Sequence, residues 1–405
     1  MPQALSERTL ATVRATVPAL EAHGLAITRA MYARMFRDPA IRDLFNQSHH
    51  GETGSQPKAL AAAVLAYARH IDRLDALGPT VERIAQKHVG LQILPEHYPY
   101  VADALLGAIG EVLGEAATEE VLAAWGEAYW HLAHILIGRE ASLYRSLAEA
   151  EGGWTGWRDF EVAEIRRESA VVASFVLRPV DGGPVLRHRP GQYLTLWLDV
   201  PGHAPLKRNY SVSSAPDGRT YRITVKREER GIASSWLHDR ARVGTRLRVA
   251  APAGEFVLPE RPERPLVLLS GGVGLTPMVA MLEAIAERHP DLPVHFAHGA
   301  LDGATHAMGA HVRALAASRP EGTTRLTVFY QRPRPNDAEG RDYDRRGVID
   351  EAWLRASTPV KEADYFLCGP RPFLRALVGA LLAAGVPASR VHYEFFGPAD
   401  ELLAA

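Results

Sequence analysis

Along its first 148 residues the chain repeats apolar side chains at helical spacing. Leu10, Val13, Val17 and Leu20 fall on one face, behind a Ser6 placed to cap the first turn. The same period predicts helices through Leu60–Leu74, Val81–Val89, Pro99–Leu113 and Val121–Leu147. Pro39, Pro57, Pro79 and Pro95 stand at their borders, where proline is tolerated. No segment here alternates as a strand does, so this half is expected to be all-α. Gly152-Gly153-Trp154-Thr155-Gly156 ends that pattern. Strand-like runs follow at Phe160–Ile165, Val171–Pro179, Gly191–Asp199, Tyr221–Lys226 and Thr245–Ala250, divided by turn residues. They predict a small antiparallel β-barrel. From about Arg264 the rhythm changes again. Pro265–Ser270 is a continuous apolar strand, then a glycine turn and a helix over Pro277–Arg288. Further strands are expected at Val294–His298, Arg325–Tyr330 and Tyr365–Leu367. Strand and helix in alternation predict a parallel α/β sheet. The expected division is 1–148, 155–262 and 263–405.

Length adds little to this, since 405 residues suit two or three domains. A formal net charge of -1 provides no field for nucleic acid or an anionic membrane. The apolar stretches Ala59–Ala68 and Leu132–Gly138 are too short or interrupted to span a bilayer. The opening Met1-Pro2-Gln3 leads into a charged, helix-patterned segment unlike a signal peptide. Cys368 is the only cysteine, so no internal disulfide can form and a reducing, cytoplasmic setting is expected.

The candidate chemistry of the C-terminal part lies in four motifs. Arg208-Asn209-Tyr210-Ser211 could offer a flavin a cation, a flat ring and a small hydrogen-bonding group, or be a plain barrel strand. Gly271-Gly272-Val273-Gly274-Leu275-Thr276-Pro277 joins a buried strand to a helix. Its backbone N–H groups and the helix dipole suit a phosphate, though a ligand-free tight turn has the same look. The motif departs from G-x-G-x-x-G at the third glycine, which disfavours a two-domain Rossmann dehydrogenase. Cys368-Gly369-Pro370 ends a strand where ligands of open α/β sheets gather. His392-Tyr393-Glu394-Phe395-Phe396-Gly397-Pro398 sets aromatics beside a carboxylate.

In this order the four resemble the ferredoxin–NADP reductase superfamily over about residues 155–398. The resemblance implies that Tyr193, Arg208, Asn209, Tyr210 and Ser211 hold FAD, with Gly231 to Ser234 near its pyrophosphate. Gly271, Gly272, Val273, Gly274, Leu275, Thr276 and Pro277, with Cys368, Gly369 and Pro370, would take NADH or NADPH. Glu394, Phe395, Phe396, Gly397 and Pro398 would lie by the flavin ring. Phe395 departs from relatives that carry cysteine or another small residue there.

In the N-terminal half, His49, His50, His131 and His134 read as ordinary loop or packing histidines. His88 differs, because it closes the amphipathic run from Val81 and can project from a helix end. An imidazole on iron needs such a fixed aim. Met31-Tyr32-Ala33-Arg34-Met35-Phe36, Asp43-Leu44-Phe45-Asn46, Ile84-Ala85-Gln86-Lys87-His88, Ala124-Trp125-Gly126-Glu127-Ala128-Tyr129 and Arg139-Glu140 resemble the globins, specifically the flavohaemoglobins. That resemblance implies haem b with His88 as proximal ligand, Tyr98 and Glu140 supporting it, and Lys87 tuning the haem potential. Tyr32 and Gln56 would bond dioxygen on the distal side, with Phe45 and Leu60 shaping the pocket. The function implied is a nitric oxide dioxygenase that uses NAD(P)H, FAD and haem to convert nitric oxide and dioxygen to nitrate. It would be a monomer, with lipid a further candidate for its distal pocket. An alkyl or lipid hydroperoxide reductase and a dioxygen sensor or store are the rival readings. The residues themselves single out neither NADH nor NADPH and fix no oligomeric state.

Overall fold

The computed structural model describes residues 4–44, 55–73 and 78–397. They gather into two compact units, residues 4–156 with 197–208 and residues 157–196 with 209–397. Helices α1 (Glu7–Ala15), α2 (Val17–Met35), α3 (Pro39–Arg42), α4 (Ser55–Arg69), α5 (Gly78–Leu91), α6 (Tyr98–Leu113) and α7 (Glu119–Glu149) make up the first stretch. Among its described residues there is no strand. Ser6 caps α1 as expected, its Oγ accepting the Thr9 N–H at 3.1 Å. The apolar face from Leu10 to Leu20 is nonetheless split over two helices. Pro18 sits in the first turn of α2 and has no N–H to continue α1, so the chain breaks at Thr16. Thr16 fills the gap, donating to the Val13 carbonyl at 2.6 Å and accepting from the Trp125 indole at 3.2 Å.

Two apolar clusters form in these helices. One holds Val13, Ile27, Met31, Tyr32 and Trp125, and the other Ala85, Ile93, Tyr98 and Leu136. Leu44, Tyr129 and Leu132 pack against both.

Strands β1 (Arg158–Arg167), β2 (Val172–Pro179), β3 (Tyr193–Leu198), β4 (Leu206–Ser211), β5 (Tyr221–Lys226) and β6 (Arg246–Val249) form one sheet in the order β4-β3-β6-β1-β2-β5. The pairs β1–β2, β1–β6 and β2–β5 are antiparallel. A bridge from Val212 to Ile223 brings the end of β4 back to β5, which closes the sheet into the expected barrel. Helix α8 (Ile232–Asp239) interrupts the strands. The sequence pattern missed it, because Gly231 caps it without any side-chain hydrogen bond.

The remaining elements are β7 (Leu266–Gly271), α9 (Leu275–Arg288), β8 (Val294–Ala300), α10 (Gly309–Ser318), β9 (Thr324–Tyr330), β10 (Arg345–Arg346), α11 (Glu351–Ser357), β11 (Asp364–Cys368), α12 (Arg371–Ala383) and β12 (Val391–Glu394). Their sheet runs β10-β9-β8-β7-β11-β12, and every pair is parallel. All six residues of β7 are buried, as a central strand covered on both faces requires. The chain proceeds outward from β7 through β8 and β9, then returns to β11 on β7's other side. The crevice beyond β7 and β11 is therefore the switch point where such sheets bind ligands. No described helix is long and apolar enough to cross a membrane.

Candidate functional site

The residues of the sequence motifs fall into three constellations. The first is built on α5, α6 and α7. His88 lies in the last turn of α5, which runs two residues further than the apolar period suggested. Its Nδ1 is 2.7 Å from Glu140 Oε1 and 3.2 Å from the Tyr98 hydroxyl, which itself donates to the same oxygen at 2.6 Å. The Tyr129 hydroxyl fixes the backbone here, donating to the Tyr98 carbonyl at 2.7 Å. Glu140 is 2% exposed, and its Oε2 is buried with no hydrogen-bond partner among the described residues. With a carboxylate facing Nδ1, the proton belongs on that nitrogen, and Nε2 keeps its lone pair. Among the described residues Nε2 has no partner, and the ring is partly exposed. A histidine so held fits a transition metal, since such ligands give their other ring N–H to a carboxylate. Burial, then the hydrogen bond to Glu140, pushes the Tyr98 hydroxyl well above the usual tyrosine range. It therefore stays a donor. Glu82 steadies α5 from outside through two bonds with Arg139 of α7, at 2.6 and 3.0 Å. Lys87 is exposed beside His88.

Of the other residues expected near this group, Tyr32 of α2 is 7% exposed, with its ring 5.4 Å from that of Phe36. Leu60 of α4 packs on the same cluster. Gln56 lies in the first turn of α4, but its side chain, like Phe45, falls outside the described residues.

The second constellation is at the barrel. In β4, Arg208 and Tyr210 point to one face and Asn209 and Ser211 to the other, following strand alternation. Asn209 accepts from Thr195 at 2.9 Å. Tyr193 is 7% exposed, and its hydroxyl is buried without a hydrogen-bond partner among the described residues. Such an atom is costly unless a ligand completes it, which fits a polar ring system. Gly231 ends its turn where a Cβ would press on the Ser234 hydroxyl and come within 2.9 Å of Glu228 Cβ. The chain then enters α8, whose first N–H groups suit an anion.

The third is the crevice beyond β7 and β11. A Cβ on Gly274 would collide with the Cys368 carbonyl and stand 2.8 Å from the Gly369 nitrogen. A Cβ on Gly271 would come within 3.0 Å of the Pro370 ring. Gly271 to Pro277 and Cys368 to Pro370 thus form one interleaved cradle, with Leu275, Thr276 and Pro277 buried in the first turn of α9. Helix α9 begins two residues earlier than expected, after a short turn over Gly272 to Gly274. Cys368 is fully buried, and burial, reinforced by Glu394, pushes its thiol far up. It is an unreactive packing residue. Glu394 stands opposite Cys368 in the register of β12. The Phe395 ring lies 5.9 Å from the Arg371 guanidinium, and Phe396 is exposed. Gly397 donates to the Phe395 carbonyl at 2.9 Å, and Pro398 lies outside the described residues.

Several contributors had no motif to reveal them. Gln92, Glu283 with Arg222 and His311, and Ser270 with His298 are joined across distance by folding alone.

Comparison with known proteins divides the chain in the same order. A globin model matches residues 29–136, an oxidoreductase FAD-binding domain model 159–258, and an oxidoreductase NAD-binding domain model 268–378. A flavohemoprotein of Xylella fastidiosa (strain 9a5c) is 53% identical over 405 residues, covering 100% of both chains. One of Rhizobium meliloti (strain 1021) is 46% identical over 402 residues, covering 97% of this chain and 98% of the relative. Among solved structures, a flavohemoglobin from Malassezia yamatoensis with bound FAD and heme superposes with a TM-score of 0.87 at 25% identity. That match covers 98% of this chain and 100% of the other. The FAD/NAD-binding domain of a nitric oxide dioxygenase from Vibrio cholerae O1 biovar El Tor gives 0.54 at 39% identity, covering 60% of this chain and 99% of that one.

Proposed function

Since the chain belongs to the flavohaemoprotein family and is an NAD(P)H-dependent oxidoreductase, we propose that its reaction is the conversion of nitric oxide and dioxygen to nitrate. Haem, FAD and NADH or NADPH are its cofactors, one for each of the three matched domains. When bound, the nicotinamide supplies a hydride, FAD turns two electrons into single ones, and the haem iron is where dioxygen and nitric oxide react.

The chain's own residues hold and tune these groups. His88 offers Nε2 to the iron. Glu140, by drawing the Nδ1 proton, makes the imidazole more electron-donating, and the Tyr98 hydroxyl keeps the carboxylate aimed. The resemblance assigns Tyr32 and Gln56 as the hydrogen-bond donors that would meet bound dioxygen, and Phe45 and Leu60 as the apolar residues that would line that pocket. Lys87 adds a positive charge near the proximal face. Arg208 neutralises the FAD pyrophosphate together with the Gly231 to Ser234 turn, while Tyr210, Ser211, Asn209 and Tyr193 bind the ring and its linker. The cradle of Gly271 to Pro277 and Cys368 to Pro370 would take the dinucleotide phosphates, and the resemblance assigns Glu394, Phe395, Phe396, Gly397 and Pro398 to the flavin. The boundaries 1–148, 155–262 and 263–405 belong to this reading. They are supported by α7 ending at Glu149 and the parallel sheet starting at Leu266.

The observation that carries the proposal is the bond between His88 Nδ1 and the buried Glu140 carboxylate. A simple store of dioxygen gains nothing from an electron-rich ligand. The test supplies NADH, dioxygen and nitric oxide to the haem- and FAD-loaded protein and counts products. One nitrate per nitric oxide consumed supports the reading. The same proximal arrangement would also help cleave a peroxide bond, so NADH oxidation faster with an alkyl hydroperoxide than with nitric oxide would transfer the assignment to a peroxidase.

A further inference from the structure

Glu283 lies on α9, the helix that starts at the glycine cradle, and its side chain is only 14% exposed. Three other segments converge on its carboxylate. Oε1 is 2.6 Å from Arg222 of β5 and 2.6 Å from His311 of α10, and Oε2 accepts the Ala215 N–H at 2.7 Å. Arg222 also donates to the Ser213 carbonyl and, at 3.2 Å, to its hydroxyl. Ser213 and Ala215 lie in the segment just after Ser211, the last residue of the flavin-side strand β4. Burial pushes the Glu283 carboxyl up, but the His311 bond and the Arg222 charge outweigh it, so the group is held below the usual carboxylate range.

Cohesion does not require this network. Val172, Phe256 and Leu258 of the barrel share one apolar cluster with Met278, Met281 and Leu282 of α9. The Ala170 N–H also reaches the Ala304 carbonyl at 2.9 Å. Buried ion pairs add little net stability, because desolvation offsets their attraction. Their directional bonds do fix register, which greasy contacts leave loose.

We propose that Glu283 is a positioning residue for electron transfer. It fixes α9, and so the dinucleotide cradle at its start, against β5 and the segment that continues the strand with the flavin residues. The inference rests on the NAD(P)H–FAD oxidoreductase reading but not on any nitric oxide chemistry. In that step NADH, oxidised FAD and one proton from solvent would give NAD⁺ and FADH₂. Small errors in placing donor against acceptor slow such a step far more than they weaken binding.

The experiment uses Glu283→Gln, which keeps the shape and removes the charge, and Glu283→Ala. Each haem- and FAD-loaded protein is mixed anaerobically with NADH, or with NADH deuterated at C4, in a stopped-flow instrument. The limiting rate of FAD reduction should fall on the order of 10- to 100-fold. The apparent NADH affinity should change by no more than about twofold, a split that binding by the untouched cradle demands. The deuterium isotope effect should rise and the nicotinamide–flavin charge-transfer absorbance should weaken. FAD content and Tm are measured alongside. A lower Tm or FAD content with an unchanged limiting rate per bound FAD would overturn the proposal, as would a change confined to NADH affinity. Failure of the wild-type FAD to be reduced by NADH would sink the oxidoreductase reading itself, and the proposal with it.

Discussion

His88 of α5 and Glu140 of α7 are 52 residues apart in sequence and 2.7 Å apart in space, joined through a carboxylate that is almost wholly buried. Glu140→Gln keeps the size of that side chain and removes its charge. A neutral amide attracts the Nδ1 proton less, so the imidazole becomes a weaker donor through Nε2. The expected results are a lower iron–histidine stretching frequency in the resonance Raman spectrum and haem affinity reduced on the order of 10- to 100-fold, with helix content unchanged. An unaltered stretching frequency would reduce Glu140 to packing.

Acid should destabilise the α/β and barrel unit through buried histidines. Burial pulls His188, His295 and His306 down to about 4, and holds His298 well below the usual histidine range. In the unfolded chain these rings take up protons below about 6.5, whereas the folded chain resists until about 4. Within that window the unfolded state binds more protons, so stability is full above it and falls as pH drops. Each ring adds a slope of about 1.4 kcal/mol per pH unit. Urea midpoints should hold from pH 7.5 to about 6.5 and fall steadily from there down to 4.5, and His188→Gln should flatten that slope by about one proton. A flat midpoint through this range would contradict the burial of these rings.

The elements of the fold were readable because each rests on local chemistry. The period of α5 and α7, the unbroken apolar run of β7 and the Ser6 cap all act within a few residues. Where short-range signals conflicted, the pattern failed. The face from Leu10 to Leu20 looked like one helix, yet Pro18 forces a break at Thr16. Helix α8 lacked a capping side chain, and β12 has only four residues, one of them the exposed Tyr393. For the site, the glycine turn announced itself in sequence, but its partner in space did not. Only the folded chain brings Gly274 against Cys368, or Glu283 against Arg222 and Ala215. The distal residues Phe45 and Gln56 rest on resemblance alone.

Gly274→Ala tests the cradle. The added methyl would strike the Cys368 carbonyl and the Gly369 nitrogen, and backbone atoms in a central strand and its turn cannot step aside. Overpacking of this kind costs about 1–3 kcal/mol. The expected outcome is a lower Tm and weakened NADH binding, while haem spectra stay normal. Normal NADH affinity in this variant would show that the turn does not touch the dinucleotide. Gly272→Ala provides the contrast. Its Cβ would meet open space, so only the cost of a left-handed φ of 54° remains.

Gln92 follows the last residue of α5 in a left-handed conformation, with φ 62°. Its side chain compensates in two directions, donating to the Val89 carbonyl at 2.7 Å and accepting the Gly156 N–H at 2.8 Å. That second bond ties the glycine-rich segment after α7 to the end of the helix bearing His88. Three substitutions separate strain from tether. Gln92→Ala keeps the strained backbone and loses both bonds, and should cost about 1–3 kcal/mol. Gln92→Gly also loses both bonds but relieves about 1–2 kcal/mol of left-handed strain, so its Tm should lie close to the parent's. Gln92→Asn tolerates the conformation but is one methylene too short to span to Gly156 unaided. All three should cut faster between residues 150 and 157 under limited proteolysis, whatever their Tm, because the tether is gone in each. Cleavage that tracks Tm instead, with the glycine variant as resistant as the parent, would mean that the segment is held by its own turns at Gly152 and Gly156 rather than by Gln92.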